Sequence, residues 1–420
     1  MKAGEDMHVD VLVVGAGPAG LSAAAELRRL GVRSVLVADR EPEPGGIPRH
    51  SLHTGYGLRD RRRLLTGPAY AGALAGAAAA AGAQLCPGAT VTALAGTVAT
   101  MTSPGGIESV RASAVLLATG CRERPRPARL VPGDRPPGVM TTGELQQRVY
   151  LGGQRLPGRA VVVGAEHVSF SAAMTLAHAG ARVVALVTEH ERQQSYAAFR
   201  LGAALRWRVP VWTSTAIHRV VGRQRLSGVE VADVRTGSVR FVPCDTVVFT
   251  GDWIPDHELA RAAGLAMDPG TRGPSVDTTL RTSAAGVFAA GNLVHAAETA
   301  DVAALSGRHA ARHIAAALGG APGSRRLPMR AEPPLRWISP NAIAVGAVPP
   351  APPLGRFVLR SREFRHLARL EVRQDGRPLF RSRPVRLIPN RPVRLGAAWL
   401  ARVDPAGGPV RVVIGGRLAR

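Results

Sequence analysis

Short apolar runs alternate with longer helical patterns through the first three quarters of the chain. The first apolar run, Val9 to Val14, is followed by Gly15-Ala16-Gly17-Pro18-Ala19-Gly20 and then by a helical pattern that ends at Gly31. A second apolar run, Ser34 to Ala38, ends in Asp39. Short, mainly apolar runs of this length are typical of strands buried on both faces of a parallel sheet. The order predicts a strand–helix–strand unit.

The six residues after the first predicted strand have the spacing GxGxxG, and each glycine has its own physical task. Gly15 permits a tight turn, Gly17 lets a pyrophosphate approach the backbone, and Gly20 lets helix and strand pack closely. The helix start offers N–H groups and partial positive charge to phosphates. Asp39 follows at a spacing that suits a ribose hydroxyl. The predicted nucleotide contacts are Gly15, Gly17, Pro18, Ala19, Gly20, Asp39 and Arg40.

A second unit of the same kind follows, with predicted strands over Arg159–Val163 and Arg182–Val187. Its turn reads Gly164-Ala165-Glu166-His167-Val168-Ser169, so a glutamate stands at the second glycine position. At an effective dielectric of about 20, two unit charges about 4 Å apart repel by about 4 kcal/mol, which is roughly a thousandfold in affinity. We therefore expect conventional NAD(P)H binding to be lost here, and NAD(P) is not predicted as a cofactor.

The pattern changes to a period of two residues near the C-terminus. Phe357 to Leu359 and Leu367 to Arg373 read as strands, and Asp375-Gly376 between alternating segments is a strong hairpin signal. A stretch rich in helix breakers, Gly319 to Pro334, is predicted as a linker. The predicted domains are 1–125 with 245–320, 140–244, and a C-terminal β-rich domain over 335–420.

The net charge of +24 on 420 residues invites the hypothesis of a nucleic-acid partner. Lys2 is the only lysine, and the 53 arginines are scattered along the whole chain. A nucleic-acid footprint concentrates charge on one face, so we expect no nucleic-acid binding. No apolar run reaches the length of a membrane span, and Ala69 to Ala83 reads as a helix packed on a sheet.

The three cysteines, Cys86, Cys121 and Cys244, are far apart. No CxxC pair exists for a dithiol relay, and three thiols are too few for an all-cysteine iron–sulfur cluster. Charged residues lead straight into the first strand and leave no room for a signal peptide. We predict a cytoplasmic protein without a metal site.

Two further segments carry a family resemblance. Val115-Leu116-Leu117-Ala118-Thr119-Gly120 is an apolar run, and Val287-Phe288-Ala289-Ala290-Gly291-Asn292 closes the α/β region. With the two glycine-containing units, they resemble the FAD-dependent pyridine nucleotide-disulfide oxidoreductase superfamily over about residues 8–320. The resemblance implies an α/β fold with two Rossmann-like three-layer ββα/βαβ nucleotide-binding domains. The second domain would be inserted in the first, and a small C-terminal β domain would follow.

The resemblance also implies an FAD cofactor and further contacts with it. In that family the Ala-Thr-Gly strand crosses the FAD, and a late Ala-Gly-Asp segment holds the ribityl chain, where this chain has Asn292. The start of the helix over 301–318 is implied to point N–H groups at the flavin. The implied FAD contacts in these segments are Thr119, Gly120, Gly291, Asn292 and Val302, and Val91 is a further implied contact.

Within the superfamily, the chain is most similar to the flavoprotein subunits of opine oxidase, hydrogen cyanide synthase and D-hydroxyproline dehydrogenase. The segments that carry this similarity are Gly45-Gly46-Ile47-Pro48-Arg49-His50 and Gly120-Cys121-Arg122-Glu123-Arg124-Pro125. Such relatives carry a cysteine-rich cluster segment near the C-terminus, whereas no cysteine follows Cys244 here. The resemblance implies a second dehydrogenase subunit, and any iron–sulfur centre would belong to a separate protein.

The loop from Gly45 to Asp60 occupies the place where disulfide reductases of the superfamily have their redox cysteines. No cysteine is present in it, so disulfide-reductase chemistry is excluded. Arg49 is a predicted flavin or phosphate contact, and His50 and His53 are candidate proton carriers. The alternative is that all three are solvated loop residues.

Three functions stay open at this point. The first is an FAD-containing subunit of a heteromeric amine or amino-acid dehydrogenase-type enzyme that passes electrons to a partner. The second is a stand-alone NAD(P)H-dependent flavin oxidoreductase, and the third is a non-catalytic FAD-binding assembly subunit. Rings at Tyr196, Phe199, Trp207 and Trp212 are interpreted as core packing, with a partner surface as the alternative.

Overall fold

The computed structural model describes residues 7–196, 209–296, 298–321, 323–346 and 348–415. The chain divides into two compact units. The first unit combines residues 1–121 with 255–420, and the second unit is residues 122–254, inserted between them in sequence. Phe199 and Trp207 of the predicted aromatic group lie outside the described residues.

The helices of the described residues follow the predicted periodicity, and the longest are in the first unit. They are α1 Pro18–Arg29, α2 Gly67–Ala80, α3 Thr142–Gln146, α4 His167–Ala179, α5 Glu258–Ala262 and α6 Ala300–Leu318. No helix among the described residues is long and apolar enough to cross a bilayer.

The strands up to residue 123 are β1 Met7–Val14, β2 Val35–Asp39, β3 Thr54–Tyr56, β4 Leu65–Thr66, β5 Gln84–Pro87, β6 Thr90–Ala95, β7 Val98–Ser103, β8 Gly106–Leu117 and β9 Cys121–Glu123. Those from 139 to 289 are β10 Val139–Thr141, β11 Gly158–Val163, β12 Ala181–Val187, β13 Val211–Trp212, β14 Thr215–Val221, β15 Gly228–Asp233, β16 Val239–Pro243, β17 Thr246–Phe249, β18 Trp253–Pro255 and β19 Val287–Ala289. The C-terminal strands are β20 Arg326–Ala331, β21 Leu335–Ser339, β22 Ala342–Ala344, β23 Arg356–Ser361, β24 Arg365–Gln374, β25 Arg377–Arg381, β26 Val385–Leu387, β27 Val393–Gly396 and β28 Val410–Gly415.

The main sheet of the first unit has the strand order β5-β2-β1-β8-β7-β6, and β19 pairs with β8. Strands β5, β2, β1, β8 and β19 are parallel, which confirms the predicted parallel arrangement. Val11 to Val14 are buried because helices cover this part of the sheet. α1 and α6 pack closely, and a Cβ placed at Gly307 would lie 2.0 Å from Ala19 O.

The second unit contains a parallel sheet with the order β10-β17-β11-β12-β13 and an antiparallel sheet β14-β15-β16. α4 follows β11 after a short turn and buries Phe170, Ala173 and Leu176 in a core shared with Val162. A second strand–turn–helix–strand unit is therefore present, as the sequence predicts.

The C-terminal strands form a six-stranded sheet and the three-stranded sheet β21-β23-β27. The Asp375-Gly376 hairpin is confirmed: both residues have positive φ, and Gln374 pairs with Arg377. The prediction of a linker over 319–334 is wrong for β20, which lies inside it. Leu327 and Met329 are buried there. The alternation of apolar and polar residues therefore determines a strand in spite of the neighbouring glycines and prolines.

Candidate functional site

The first glycine turn, Gly15 to Gly20, joins β1 to α1. Gly15 has φ of 107°, and a Cβ placed on it would lie 2.5 Å from Ala118 O. A Cβ at Gly20 would lie 1.9 Å from Gly15 O. Both positions are therefore restricted to glycine by the backbone around them.

Gly17 differs from the other two glycines because a Cβ placed on it would meet no atom within 4 Å. It is the N-cap residue of α1, no side chain caps the helix, and its first turn has no acidic residue. The helix start therefore keeps its N–H groups and positive potential available to an anion. This open position fits a pyrophosphate, the group that an FAD places at such a turn.

The two carboxylate oxygens of Asp39 accept hydrogen bonds from the first glycine turn and from the residues just after β2. Its Oδ2 accepts a hydrogen bond from Ala16 N at 2.5 Å, and its Oδ1 accepts one from Glu41 N at 2.8 Å. Each carboxylate oxygen can accept a further bond, so a ribose contact stays a prediction. Arg40 is exposed and lies 3.8 Å from Asp256, and Val91 lies in β6 opposite Met101.

The loop after β2 folds onto the first glycine turn. Gly45 N donates to Ala16 O at 2.8 Å, and a Cβ at Gly46 would lie 3.0 Å from Gly17 Cα. The Arg49 side chain is only 11% exposed and lies 3.9 Å from Glu41 and 3.7 Å from Glu43. Its charge is thus compensated by two carboxylates, and its predicted flavin or phosphate contact stays a prediction.

The two candidate histidines of this loop have different surroundings. His50 is buried. The His53 Nδ1 atom lies 2.8 Å from Thr54 O, and its ring stacks on Tyr56 with centroids 5.4 Å apart. A catalytic role of either stays a prediction.

Sequence reasoning missed a hydrogen-bond network next to this loop. Tyr70 Oη donates to Asp60 Oδ2 at 2.9 Å, and Arg308 approaches the same oxygen at 3.9 Å. Burial raises the pKa of Asp60 above its usual range. Arg308 is distant in sequence from Asp60 and Tyr70, so no local pattern could have joined the three.

The Ala-Thr-Gly strand and the Gly291 segment lie at the same end of the sheet. Thr119 Oγ1 donates to Asp256 O at 2.7 Å, and Gly120 has φ of 81°. Gly291 N donates to Ser306 Oγ at 3.1 Å, and a Cβ at Gly291 would lie 2.7 Å from Ala19 Cβ. The structure therefore brings Gly291 against the start of α1.

Two implied flavin contacts already have partners within the chain. Asn292 bridges the backbone of Glu298, with its Nδ2 donating at 3.1 Å and its Oδ1 accepting at 3.0 Å. Val302 N donates to Asp301 Oδ1 at 2.9 Å. Contacts of Asn292 and Val302 with FAD stay predictions, since the Asn292 amide and the Val302 N–H are already bonded within the chain.

The second glycine turn, Gly164 to Ser169, is filled by one of its own side chains. Glu166 is 8% exposed, and its Oε2 accepts a hydrogen bond from Ser169 Oγ at 2.7 Å. Oε2 lies 2.7 Å from the position of a Cβ on Gly164, and Oε1 lies 3.0 Å from that of a Cβ on Gly251. The carboxylate thus lies between two glycines that leave space for it.

A later segment of the second unit lies over the same turn. The backbone N–H groups of Gln194 and Ser195 both donate to Ala165 O, at 3.0 and 3.2 Å. The Tyr196 ring meets His167 edge-on, with ring centroids 4.6 Å apart. This part of the predicted aromatic group therefore covers the second glycine turn.

A second carboxyl group near Glu166 was missed by sequence reasoning. Burial raises the pKa of Glu123 to about 7, although a bond from Gly143 N to its Oε2 at 2.9 Å opposes the shift. The negative charge of Glu166 raises this pKa further, and Arg129 lowers it. Arg129 is itself fixed by bonds to Thr250 O and Gly251 O.

The fold and the first glycine turn define an FAD-dependent oxidoreductase. Residues 9–307 match the model of the pyridine nucleotide-disulphide oxidoreductases, and the chain belongs to that family. The predicted superfamily, the fold class and the assignment as an oxidoreductase are thereby confirmed.

The chain is similar to the A subunit of opine oxidase from Agrobacterium tumefaciens (strain Ach5), with 33% identity over 342 residues, which cover 72% of this chain and 64% of that one. It thus spans less than two thirds of the length of this relative. The alpha subunit of sarcosine oxidase from Corynebacterium sp. (strain P-1) is 32% identical over 213 residues, covering 48% of this chain and 21% of that one. Thioredoxin reductase of T. acidophilum shares the fold, with a TM-score of 0.62, 22% identity and coverage of 74% of this chain and 99% of that one.

Proposed function

We propose that this chain is the FAD-carrying subunit of a heteromeric amine or amino-acid dehydrogenase-type enzyme and does not take electrons from NAD(P)H. The observation that carries the proposal is the Glu166 carboxylate inside the second glycine turn. In this arrangement the flavin receives electrons from a partner subunit, and the electrons leave to another protein.

Two physical effects of Glu166 oppose a dinucleotide at the second glycine turn. Its side chain fills the space that a pyrophosphate needs against the backbone. Its charge repels a phosphate, by about 4 kcal/mol for unit charges about 4 Å apart at a dielectric of about 20. The segment at Gln194 and Ser195 lies over the same backbone and adds a third obstacle.

The first glycine turn supplies what this function needs from the chain itself. Gly17 and the uncapped start of α1 hold the pyrophosphate, while Gly45 and Gly46 place the following loop against the turn. FAD, when bound, supplies two-electron redox chemistry. A dithiol relay at the flavin has no support, because the loop from Gly45 to Asp60 contains no cysteine.

The similarity to oxidase subunits supports a multi-subunit enzyme. Each of the two oxidase relatives, of opine and of sarcosine, is by name one subunit of a larger protein. By analogy, the partner of this chain is a second dehydrogenase subunit that acts on a small amine or amino acid, and an iron–sulfur centre would be on a separate protein. None of the three cysteines is in a disulfide, which suits a reducing cytoplasm.

An anaerobic titration of the purified chain tests this function. NADH or NADPH is added while the flavin absorbance is followed, and the expected result is a yellow protein that stays oxidised. Reduction is expected only after addition of a small amine or amino-acid substrate together with the proposed partner subunit. Prompt bleaching by NAD(P)H would instead identify a stand-alone flavin reductase. A yellow chain that stays oxidised even with substrate and partner subunit would identify a non-catalytic FAD-binding assembly subunit.

A further inference from the structure

A cavity of about 230 Å³ lies within the first unit, where the start of α6 meets the sheet β21-β23-β27. Val302 and Ser306 of α6 line one side of it, together with His295 and Glu298 from the preceding segment. Three arginines and one glutamate are the charged residues of its lining, so positive charge exceeds negative.

The side of the cavity opposite α6 is formed by the sheet β21-β23-β27. The strand register places its polar side chains on the face that lines the cavity. Ser339 pairs with Val358, and Val358 pairs with Arg394. Arg356 is two residues from Val358 on β23 and therefore shares that face. Arg356 and Arg394 are exposed, and neither forms an ion pair in the part of the chain that the structure describes. Their guanidinium groups are thus available at the rim.

The deeper side of the cavity carries a compensated ion pair and a neutral ring, in contrast to the arginines at its rim. Glu298 forms a buried ion pair with Arg360 at 3.5 Å, with side chains 4% and 6% exposed. Burial lowers the pKa of His295 to about 3, so its ring is neutral, and it packs on Trp337 with centroids 5.4 Å apart. Its Nδ1 atom is buried without a hydrogen-bond partner among the described residues.

We propose that this cavity binds a small organic carboxylate. Arg356 and Arg394 pair with the carboxylate at the rim, since guanidinium groups match its geometry with two parallel hydrogen bonds. Ser339 bonds a polar group of the ligand further inside, while the enclosed, neutral ring of His295 forms part of the cavity wall. The Glu298 carboxylate in the same wall disfavours a dianion such as phosphate more than a singly charged carboxylate.

This cavity depends on neither a partner subunit nor the second glycine turn, so carboxylate binding here is independent of the proposed function. Val302 lines the cavity and is also a predicted flavin contact. An occupied cavity therefore borders the helix start where the flavin is expected, and a bound ligand should shift the flavin absorbance as well as release or absorb heat.

Calorimetry on the purified, flavin-loaded chain tests the site with propionate, with its neutral isostere propionamide and with inorganic phosphate. Saturable propionate binding in roughly the millimolar range is expected, because so small a probe makes few contacts. Arg394→Gln and Arg356→Gln should each weaken propionate about tenfold, since each removes a charge-assisted pair. Ser339→Ala should weaken it as well, because the hydrogen bond of the hydroxyl group is lost.

Arg377→Gln is the matched control, because Arg377 is exposed on β25 of the same unit and does not line the cavity. It should leave propionate affinity unchanged. No saturable propionate binding, equal binding of propionamide, or an equal loss in Arg377→Gln would overturn the proposal. Phosphate binding tighter than propionate would reassign the cavity to phosphate esters and equally refute a carboxylate site.

Discussion

Ser169 Oγ donates a hydrogen bond to Glu166 Oε2 at 2.7 Å, which joins the second and third glycine positions of the second glycine turn to each other. Ser169 Oγ also lies 2.7 Å from Thr250 Oγ1, and Thr250 Oγ1 donates to Val163 O at 3.1 Å. The residues that depart from the glycine pattern thus form one buried network. This network holds the Glu166 carboxylate inside the turn, where we propose that its volume and its charge both oppose a dinucleotide.

Glu166→Gly should raise NADH affinity by at least about tenfold, because it removes both the side chain in the turn and the repulsion. Glu166→Gln keeps the volume and removes only the charge, so it should gain much less. NADH fluorescence titration under anaerobic conditions measures both without requiring flavin reduction. An equal gain in the two variants would show that charge alone excludes the dinucleotide, and no gain in either would mean that other features closed the site.

Gly17→Ala should separate folding from flavin binding. A Cβ at Gly17 meets no protein atom within 4 Å, so the apo chain should keep its thermal unfolding midpoint, while FAD affinity falls because the methyl group enters the pyrophosphate position. Gly20→Ala should instead destabilise the fold, since its Cβ would lie 1.9 Å from Gly15 O. Thermal unfolding of the apo chain and FAD fluorescence titration measure the two effects separately.

The control for the glycine variants is Gly72→Ala in the middle of α2, where a Cβ also meets nothing within 4 Å. It should leave FAD affinity unchanged and stabilise the chain by about 0.5–1 kcal/mol through helix propensity. Retention of full FAD affinity by Gly17→Ala would remove the first glycine turn from the cofactor site.

The strands, helices and turns of both nucleotide folds could be predicted because their signals are local. The β1–turn–α1 unit and the Asp375-Gly376 hairpin each follow from a few adjacent residues. Contacts between distant residues could not be predicted in this way. The sequence shows a glutamate at position 166, but only the fold shows that its carboxylate meets Ser169, which in turn meets Thr250.

Beyond the first glycine turn, the contacts of the candidate site also join residues that are not adjacent in sequence, so local signals could not predict them. The family resemblance places Asn292 at the ribityl chain, whereas in the fold its amide is bonded to the Glu298 backbone six residues later. The cavity near α6 depends on the register between β21, β23 and β27, which no periodicity specifies.

Glu123 should make the stability of the second unit depend on pH. Its pKa is about 7 in the folded chain and near 4.5 when solvated, so the folded state holds the proton more tightly between these values. Stability should therefore fall as pH rises from about 4.5 to about 7, by up to about 3 kcal/mol. Glu123→Gln should flatten this decline and stabilise the chain at pH 8, as measured by chemical unfolding across pH.

Glu144→Gln serves as the control for that series, because Glu144 is exposed in the same unit and pairs with Arg148 on the helix surface, at 2.7 Å. Its pH profile should follow that of the unmodified chain. Glu166→Gln provides a second check, since removing the neighbouring charge should lower the pKa of Glu123 and move the decline to lower pH. A decline that persists in Glu123→Gln would assign the pH dependence to another group.

The three thiols should differ widely in reactivity in the folded chain. Burial raises the pKa of Cys244 to about 12, and its side chain is almost fully enclosed, so little thiolate forms and reagents cannot reach it. Cys121 is also buried, whereas Cys86 is half-buried. Iodoacetamide labelling followed by peptide mass spectrometry should modify Cys86 first and Cys244 only when the second unit unfolds. Rapid labelling of Cys244 under native conditions would contradict the enclosed position that the fold gives it.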